Sequence, residues 1–392
     1  MATDFRGRFA IVGVGQAPDP IGKSPQFSSL GLLTMAMKNA IEDSGIPKSE
    51  IDGMVSRGVD NLHTHHQHIG RMLGLNTSFS TSLDNGGASQ ALAVALACMA
   101  IDAGLCHTVV TGYGRDTWSR TRASEDRMRV TMVPEHLNAR EFGPEFGRYG
   151  AVPDYAYGAS RHMHLYGTTK EQLGSIAVAF REHATRNPHA QMQEPITMED
   201  YLNARWIVEP LNLFDCSLVS DGAGAVVVTS AERAKDLPHD PAYILGFGSH
   251  NNLRGWTFDD HMINTAAQES AQAAYRMAGV GPEDIDTAQL YDCFTYMVMA
   301  ELEDYGFCKK GEGGPFAESG VLRLDGSLPT NTSGGQLSEG HVEGMLQILE
   351  GVRQLRHEYP PERQVAGAEV ALVSGHGGMT VCHTTLILGR ST

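Results

Sequence analysis

Two stretches set 234 residues apart constrain the fold of this chain more than any other feature. "AIEDSGIPKSEIDGMV" starts at Ala40 and "AYRMAGVGPEDIDTAQL" at Ala274, and one offset lays Ala40 on Ala274, Gly45 on Gly279, Ile51 on Ile285 and Asp52 on Asp286. Each copy predicts an amphipathic helix stopped by glycine, a short capped turn, and then a β-run, "GMVSRGV" in one and "TAQLYDCF" in the other. The parallel continues downstream. A glycine-rich turn leads into a helix in both halves ("NGGASQALAVALACMAIDAG" and "SGGQLSEGHVEGMLQILEGVRQL"), and an apolar strand follows each ("HTVVTGYG" and "EVALVSGHGG"). A chain built this way is expected to fold as two similar halves, 1–235 and 236–392. The alternation of helices with short Val/Ile-rich strands predicts mainly parallel sheets covered by helices. Residues from about 115 to 205 break the pattern with charged and aromatic stretches such as "RDTWSRTRASEDRMR" and "REFGPEFGRYGAVPDYAYG". They read as a loop insertion in the N-terminal half that covers a cleft or a partner surface.

The function classes narrow with charge and cysteine usage. A formal charge of −16 disfavours nucleic acid and anionic membrane as partners. No stretch reaches the roughly 18 uninterrupted apolar residues of a membrane span, so a cytoplasmic protein is expected. The six cysteines are scattered without a CxxC pair, which argues for reduced thiols that fill the core rather than for zinc or disulfides. "HTHHQHIG", residues 63 to 70, resembles a metal cluster. It opens a predicted helix and lacks distant partners, so a solvated or interface face is expected there and no metal site is assigned to this chain. "GVGQAPDPIG" lacks the GxGxxG spacing of a phosphate loop and reads as the first strand with its outgoing loop. Asp221 in "SDGAGA" is expected to cap a turn.

"SLDNGGASQALAVALACMAIDAG", residues 82 to 104, is a polar, glycine-rich turn feeding a long apolar helix, the place where many enzymes present a nucleophile. The turn offers only Gly86, Gly87 and Ser89. Cys293 and Cys308 flank a second motif, "YDCF", and are expected to pack rather than react.

Four segments together carry a resemblance: "YGTTKEQLGSIAVAFREHATRNPHA", "PLNLFDCSLVSDGAGAVVV", "LYDCFTYMVMAELEDYGFC" and "NTSGGQLSEGHVEG". Their order over nearly the whole chain resembles the thiolase superfamily, in particular the sterol-carrier-protein and lipid-transfer-protein types. The resemblance implies a duplicated five-layered αβαβα fold of the α/β class, a dimer and acyl-CoA substrates. Thiolases use a helix-terminal cysteine in "CASG", a histidine in "GHP", a polar residue in "HDCF" or "NEAF", and a C-terminal cysteine. Here Gly87 takes the nucleophile's place, Tyr291 the place of the "HDCF" histidine, and Ser374 in "SGHGG" that of the C-terminal cysteine. The "GHP" histidine is kept as His341, with Val342 in place of proline.

Glycine cannot form an acyl-enzyme, so ordinary thiolysis is expected to be lost. Helix-terminal N–H groups at Gly87 to Ser89, together with Tyr291 and His341, could still stabilise a thioester enolate. Tyr291 and His341 are therefore the expected catalytic pair, their division into acid and base left open. Gly87, Ser89, Ser374, Gly377 and Gly378 are expected against the bound thioester. The resemblance to steroid side-chain-cleaving aldolases, which also lack the nucleophile, implies retro-aldol cleavage of a β-hydroxyacyl-CoA, of steroid or aromatic type, to a ketone or aldehyde and a shorter acyl-CoA. Those aldolases commonly carry a tyrosine where His341 stands. The other readings are an acyltransferase or condensing enzyme with Ser89 as nucleophile, and a noncatalytic acyl-CoA-binding subunit. No tightly bound cofactor is expected, coenzyme A entering as part of the substrate. The resemblance further implies a homodimer and a small zinc-ribbon and OB-fold partner, free or fused to a hydratase, with zinc confined to that partner.

Overall fold

The computed structural model describes residues 5–58, 62–123, 150–252, 263–378 and 380–392. Eleven strands are described: β1 Phe9–Gly22, β2 Gly53–Arg57, β3 Phe79–Leu83, β4 Thr108–Asp116, β5 Trp206–Val208, β6 Leu211–Asn212, β7 Asp221–Ser230, β8 Ala242–Asn251, β9 Thr287–Gln289, β10 Val370–Gly377 and β11 Cys382–Gly389. Nine of them form one sheet in the order β3-β2-β4-β7-β1-β8-β11-β10-β9, while β5 and β6 pair separately. The principal helices are α1 Ser29–Ser44, α2 His65–Leu73, α3 Ser89–Asp102, α4 Thr117–Ala123, α5 Val152–Tyr166, α6 Lys170–Thr185, α7 Ala267–Ala278, α8 Thr295–Asp304 and α9 Met345–Leu355.

The side-chain alternation of the strands produces the layers. In β7, Ala223, Ala225 and Val227 pack under α1 and α2, while Val226 and Val228 face α3 and α9. In β10 and β11, Ala371, Val373, Leu386 and Leu388 face the same two helices, and Leu372 and Ile387 point to the opposite side, toward α6, α7 and α8. Both faces are buried in each half of the sheet, β3-β2-β4-β7-β1 and β8-β11-β10-β9, which gives the expected sequence of helix, sheet, helix, sheet, helix. α3 can occupy the middle because it carries no charged residue before Asp102 and is apolar around most of its circumference.

The repeat is present in three dimensions. α1 and α7 both end on a glycine in the left-handed region, Gly45 at φ +69° and Gly279 at φ +66°. The matched aspartates do the same work: Asp52 accepts the His107 and Thr108 N–H groups at the start of β4, and Asp286 accepts those of Glu369 and Val370 at the start of β10. A second duplication had no reading in the sequence. A Cβ on Gly13 or Gly15 would lie 2.2 or 2.3 Å from a carbonyl oxygen of α1, and one on Gly246 or Gly248 would lie 2.4 or 2.0 Å from a carbonyl oxygen of α7. The "GVG" run is thus a strand on which a helix backbone rests. The strand also continues to Gly22, taking in the expected outgoing loop.

Three expectations change. The sheet is mixed: β2 pairs parallel with β3 and β4, and β9 with β10, but β4/β7, β7/β1, β1/β8, β8/β11 and β10/β11 are antiparallel. The short 378–381 connection allows only an antiparallel return to β11, a topological fact that Val/Ile content does not reveal. The insertion, expected as loops, contributes α4, α5 and α6 in its described part, and Tyr155, Leu173, Ile176 and Phe180 join the core beneath α8; residues 124–149 lie outside the described residues. In the histidine-rich stretch, His65 is fully buried rather than solvated and shares a hydrogen bond of 3.0 Å with Ser56, while His66 does so with Ser82.

His183 on α6 is buried, with Nδ1 bonded to the Asn331 carbonyl oxygen at 3.1 Å. Burial lowers its pKa from 6.5 to about 4, against the weaker pull of Glu182 and Glu350. Below pH 6.5 the unfolded chain takes up a proton that the native His183 refuses, so stability falls with falling pH. Relative to His183→Gln, the wild type is expected to lose about 1.4 kcal/mol per pH unit between those two pKa values. Urea unfolding of both proteins at pH 7 and pH 5 checks this, and parallel losses would contradict it.

Candidate active site

The turn before α3 is held by its own backbone. Gly86 sits at φ +58° and donates its N–H to Asp84 Oδ1 at 3.0 Å; Ala88 and Ser89 donate theirs to the Asn85 and Gly86 carbonyl oxygens at 3.2 and 3.1 Å. The N–H groups expected to be free for substrate at 88 and 89 are therefore committed to the turn. The Ser89 side chain is also withdrawn: it is fully buried, and its Oγ accepts the Asn85 N–H at 2.7 Å.

Gly87 faces Tyr291. A Cβ built on Gly87 would stand 2.2 Å from the Tyr291 hydroxyl oxygen and 2.4 Å from the His376 carbonyl oxygen. The phenol occupies the space where a side chain at position 87 would begin. Gly375 and Gly344 let two further backbones close in, 3.1 Å from the Ala88 Cα and 3.3 Å from the Gly87 carbonyl oxygen when a Cβ is added to each. Gly377 makes its close approach to Asn85, where a Cβ would lie 2.1 Å from the carbonyl oxygen. That contact joins two turns of this chain, so Gly377 is not placed to receive substrate in the way expected of it. Gly378 is exposed at φ +60° in the turn that follows.

Tyr291 is clamped from behind. Its N–H donates to Ser374 Oγ at 2.7 Å, and Ser374 donates to Glu301 Oε2 at 2.6 Å. Ser374 is fully buried in this clamp and its hydroxyl is not offered to a thioester. The Tyr291 ring meets the rings of His341 and His376 edge-on, with centroids 6.4 and 5.5 Å away. Its hydroxyl has no hydrogen-bond partner among the described residues. Burial holds its pKa well above the ordinary 10, so the group is a phenol and not a phenolate.

His341 completes the pair. Its N–H donates to Ser220 Oγ at 3.0 Å, and its Nδ1 lies 3.1 Å from Ser217 Oγ, which leaves Nε2 buried and without a partner among the described residues. Burial, then the charge of Arg115, holds the imidazole well below 6.5, with Arg57 adding to the effect. The ring is neutral and Nε2 can carry a lone pair once Ser217 fixes the tautomer.

Sequence reasoning missed several residues here. Asp292 accepts the N–H groups of Gln336 and Leu337 at 2.9 and 3.1 Å and that of Gln347 Nε2 at 2.9 Å. It joins the strand end that bears Tyr291 to the turn that leads to His341, and burial raises its pKa to about 6. An acid next to Tyr291 in "YDCF" was the available signal. Arg57 and Arg115 leave the ends of β2 and β4 and both pair with Glu343, which also accepts from the Tyr113 hydroxyl at 3.1 Å. Nothing local in the sequence relates two strand ends to Glu343, which lies 228 residues beyond Arg115 and farther still from Arg57. Asp221, expected to cap a turn, opens β7 and instead accepts from Ser24 N at 2.9 Å and from Ser119 N in α4 at 3.0 Å, holding two distant segments. Cys293 is buried and Cys308 half-buried; burial pushes both thiols up, Cys308 to about 12. Against the expectation of no metal site, Glu301, His376 and His383 each bring one ligand atom to within 4.8 Å of the others.

Comparison with known proteins decides the family. Residues 11–232 match the description "Thiolase, N-terminal domain", and residues 249–390 match "Thiolase C-terminal domain-like". The chain belongs to the thiolase superfamily. Within it, this thiolase homologue is 36% identical over 374 residues to the "Steroid side-chain-cleaving aldolase" of Thermomonospora curvata, covering 89% of this chain and 90% of that one. It is 35% identical to the "17-hydroxy-3-oxo-4-pregnene-20-carboxyl-CoA lyase" of Mycobacterium tuberculosis, over 98% of this chain and 99% of that one. Among solved structures, a chain of the "Ltp2-ChsH2(DUF35) aldolase" superposes with a TM-score of 0.89 at 35% identity, covering 99% of both chains. Human mitochondrial 3-ketoacyl-CoA thiolase, at 15% identity and a TM-score of 0.72, shares the fold. No helix among the described residues is long and apolar enough to cross a membrane.

Proposed function

We propose that this thiolase homologue is a carbon–carbon lyase that cleaves a β-hydroxyacyl-CoA, of the steroid side-chain class, by a retro-aldol reaction. The observation that carries the reading is the Tyr291 phenol lying over Gly87, where an acyl-enzyme would need a side chain. A retro-aldol step needs no acyl-enzyme. The β-hydroxyl proton leaves, the Cα–Cβ bond breaks, the β-carbon departs as a ketone or aldehyde, and the electron pair is held as the thioester enolate. The enolate is then protonated at Cα, so the reaction neither consumes nor releases a proton overall.

Two neutral groups of opposite capacity support a division of labour. The His341 Nε2 lone pair takes the β-hydroxyl proton, and Tyr291, which keeps its proton through burial, donates to the enolate. The proton taken by His341 restores the phenol, closing the cycle. Arg57 and Arg115 stand near enough to weigh on both groups and favour the enolate charge. Acyl transfer through Ser89 has less support, because that hydroxyl is buried and already bonded to Asn85.

The reading extends to assembly. A homodimer is supported by the position of β3 at the edge of the large sheet, where no described strand pairs with its outer side. A partner protein is supported by the likeness to a chain of the Ltp2-ChsH2(DUF35) aldolase, and its zinc-ribbon and OB-fold character is what the family resemblance implies. Coenzyme A enters as part of the substrate, and the setting is cytoplasmic. The test is product analysis on tertiary β-hydroxyacyl-CoA esters, with and without such a partner co-expressed. Release of a ketone and a shorter acyl-CoA, strengthened by the partner, is expected; a covalent acyl adduct on Ser89 would overturn the reading.

A further inference from the structure

Next to Tyr291 three buried side chains come together, each with one polar atom hydrogen-bonded and the other not. Glu301 comes from α8, His376 from β10 and His383 from β11, and all three are buried, at most 1% exposed. Glu301 Oε2 accepts from Ser374 at 2.6 Å, His376 Nε2 is 2.5 Å from the Tyr155 hydroxyl and accepts the Thr380 N–H at 3.3 Å, and His383 Nε2 is 2.8 Å from the Tyr305 hydroxyl. The remaining atoms, Glu301 Oε1, His376 Nδ1 and His383 Nδ1, are buried without a hydrogen-bond partner among the described residues. A ligand atom from each residue lies within 4.8 Å of the others.

Each feature has a physical reading. An unpaired buried polar atom costs on the order of 1–3 kcal/mol, and a bound cation would satisfy such atoms on three neighbouring side chains at once. Two imidazoles and one carboxylate are a donor set suited to a divalent first-row cation, and the carboxylate offsets part of its charge. Ligating histidines characteristically have their second ring nitrogen bonded to an oriented group, the role Tyr305 fills for His383 and Tyr155 for His376 once the long Thr380 N–H contact gives way. Bonds of about 2.0–2.2 Å place tetrahedral donors about 3.3–3.6 Å apart, so a pair at the 4.8 Å limit closes by about an ångström when the cation binds.

We propose that Glu301, His376 and His383 form a buried two-histidine, one-carboxylate site for a divalent cation of the Zn²⁺ class. The cation ties the β10–β11 hairpin to α8. Glu301 reaches the Tyr291 N–H through Ser374, and the His376 ring packs against the phenol, so the site also fixes the position of Tyr291. His376 and His383 would be positioning residues for Tyr291.

The test uses the full-length chain, with any partner that co-purifies, stripped with chelator and reloaded with Zn²⁺ alone. About one Zn²⁺ per chain beyond the partner's own content is expected, falling at least about tenfold in His383→Ala. As a control against loss of fold in that variant, the wild type is also crystallised with Zn²⁺ and its anomalous scattering measured at the zinc edge. A peak bonded to all three side chains supports the site. Ordered water at that point, with no anomalous peak and no zinc retained above the partner's share, overturns it. Cleavage activity is not the readout, so failure of the lyase reading and failure of the metal site are distinguishable.

Discussion

Tyr291→Phe is expected to lower kcat for cleavage of a tertiary β-hydroxyacyl-CoA by roughly 10²–10⁴-fold, the range spanned by a positioned proton donor. The substitution removes one oxygen and leaves the ring that packs against His341 and His376. The Tyr291 hydroxyl has no protein partner among the described residues to lose, so the unfolding midpoint should stay close to that of the wild type. KM should change much less than kcat, because the hydroxyl acts on charge that develops during bond cleavage. His341→Ala should produce a loss of similar size. Combining the two should cost less than the product of the single losses, since they serve one proton circuit. Steady-state kinetics beside thermal unfolding check all of this; near-wild-type turnover by both single variants would end the proposed roles.

Gly87→Ala carries the second large effect. The new Cβ would lie 2.2 Å from the Tyr291 hydroxyl oxygen and 2.4 Å from the His376 carbonyl oxygen. A side chain could swing away, but the carbonyl belongs to β10, paired with both β9 and β11. The expected cost is about 1–3 kcal/mol of stability, the usual range for overpacking, together with loss of cleavage as the phenol is driven off its position. Gly87→Cys should behave the same way and yield no acyl-enzyme, because restoring the sulfur does not restore room for it. Tyr291→Ala in the Gly87→Ala background should recover only part of the stability, since the carbonyl contact persists. Denaturant midpoints and intact-protein mass after incubation with acyl-CoA decide the matter; a stable, active Gly87→Ala would show that Tyr291 and Gly87 are not coupled.

This coupling explains how much of the site was legible in the sequence. Gly87 and Tyr291 could each be found by motif order, 204 residues apart, with their replacements noted separately. That one replacement requires the other was not readable, because it is a distance between a turn and a strand end. The same holds for Ser374. Its place in "SGHGG" suggested contact with substrate, whereas the fold turns its hydroxyl inward to hold the Tyr291 backbone. Nothing in the sequence relates His376 to His383, and the β10–β11 hairpin pairs them directly. Glu301 falls in the middle of an apolar helix, where an unpaired acid is a local contradiction, and that contradiction was the one sequence signal of the cluster.

The sequence by itself determined the duplication. Helix periodicity, glycine stops and matched aspartates are local properties, and a local pattern repeated at one offset must build the same unit twice. It also determined that no sulfur stands at the head of α3, and hence that acyl-cysteine chemistry is lost. Only the tertiary structure decided which strands run antiparallel, that the insertion enters the core, and which groups face one another across Gly87. Those outcomes depend on chain crossings and on distances between residues far apart in sequence, and side-chain chemistry encodes them only through the packing of the whole molecule.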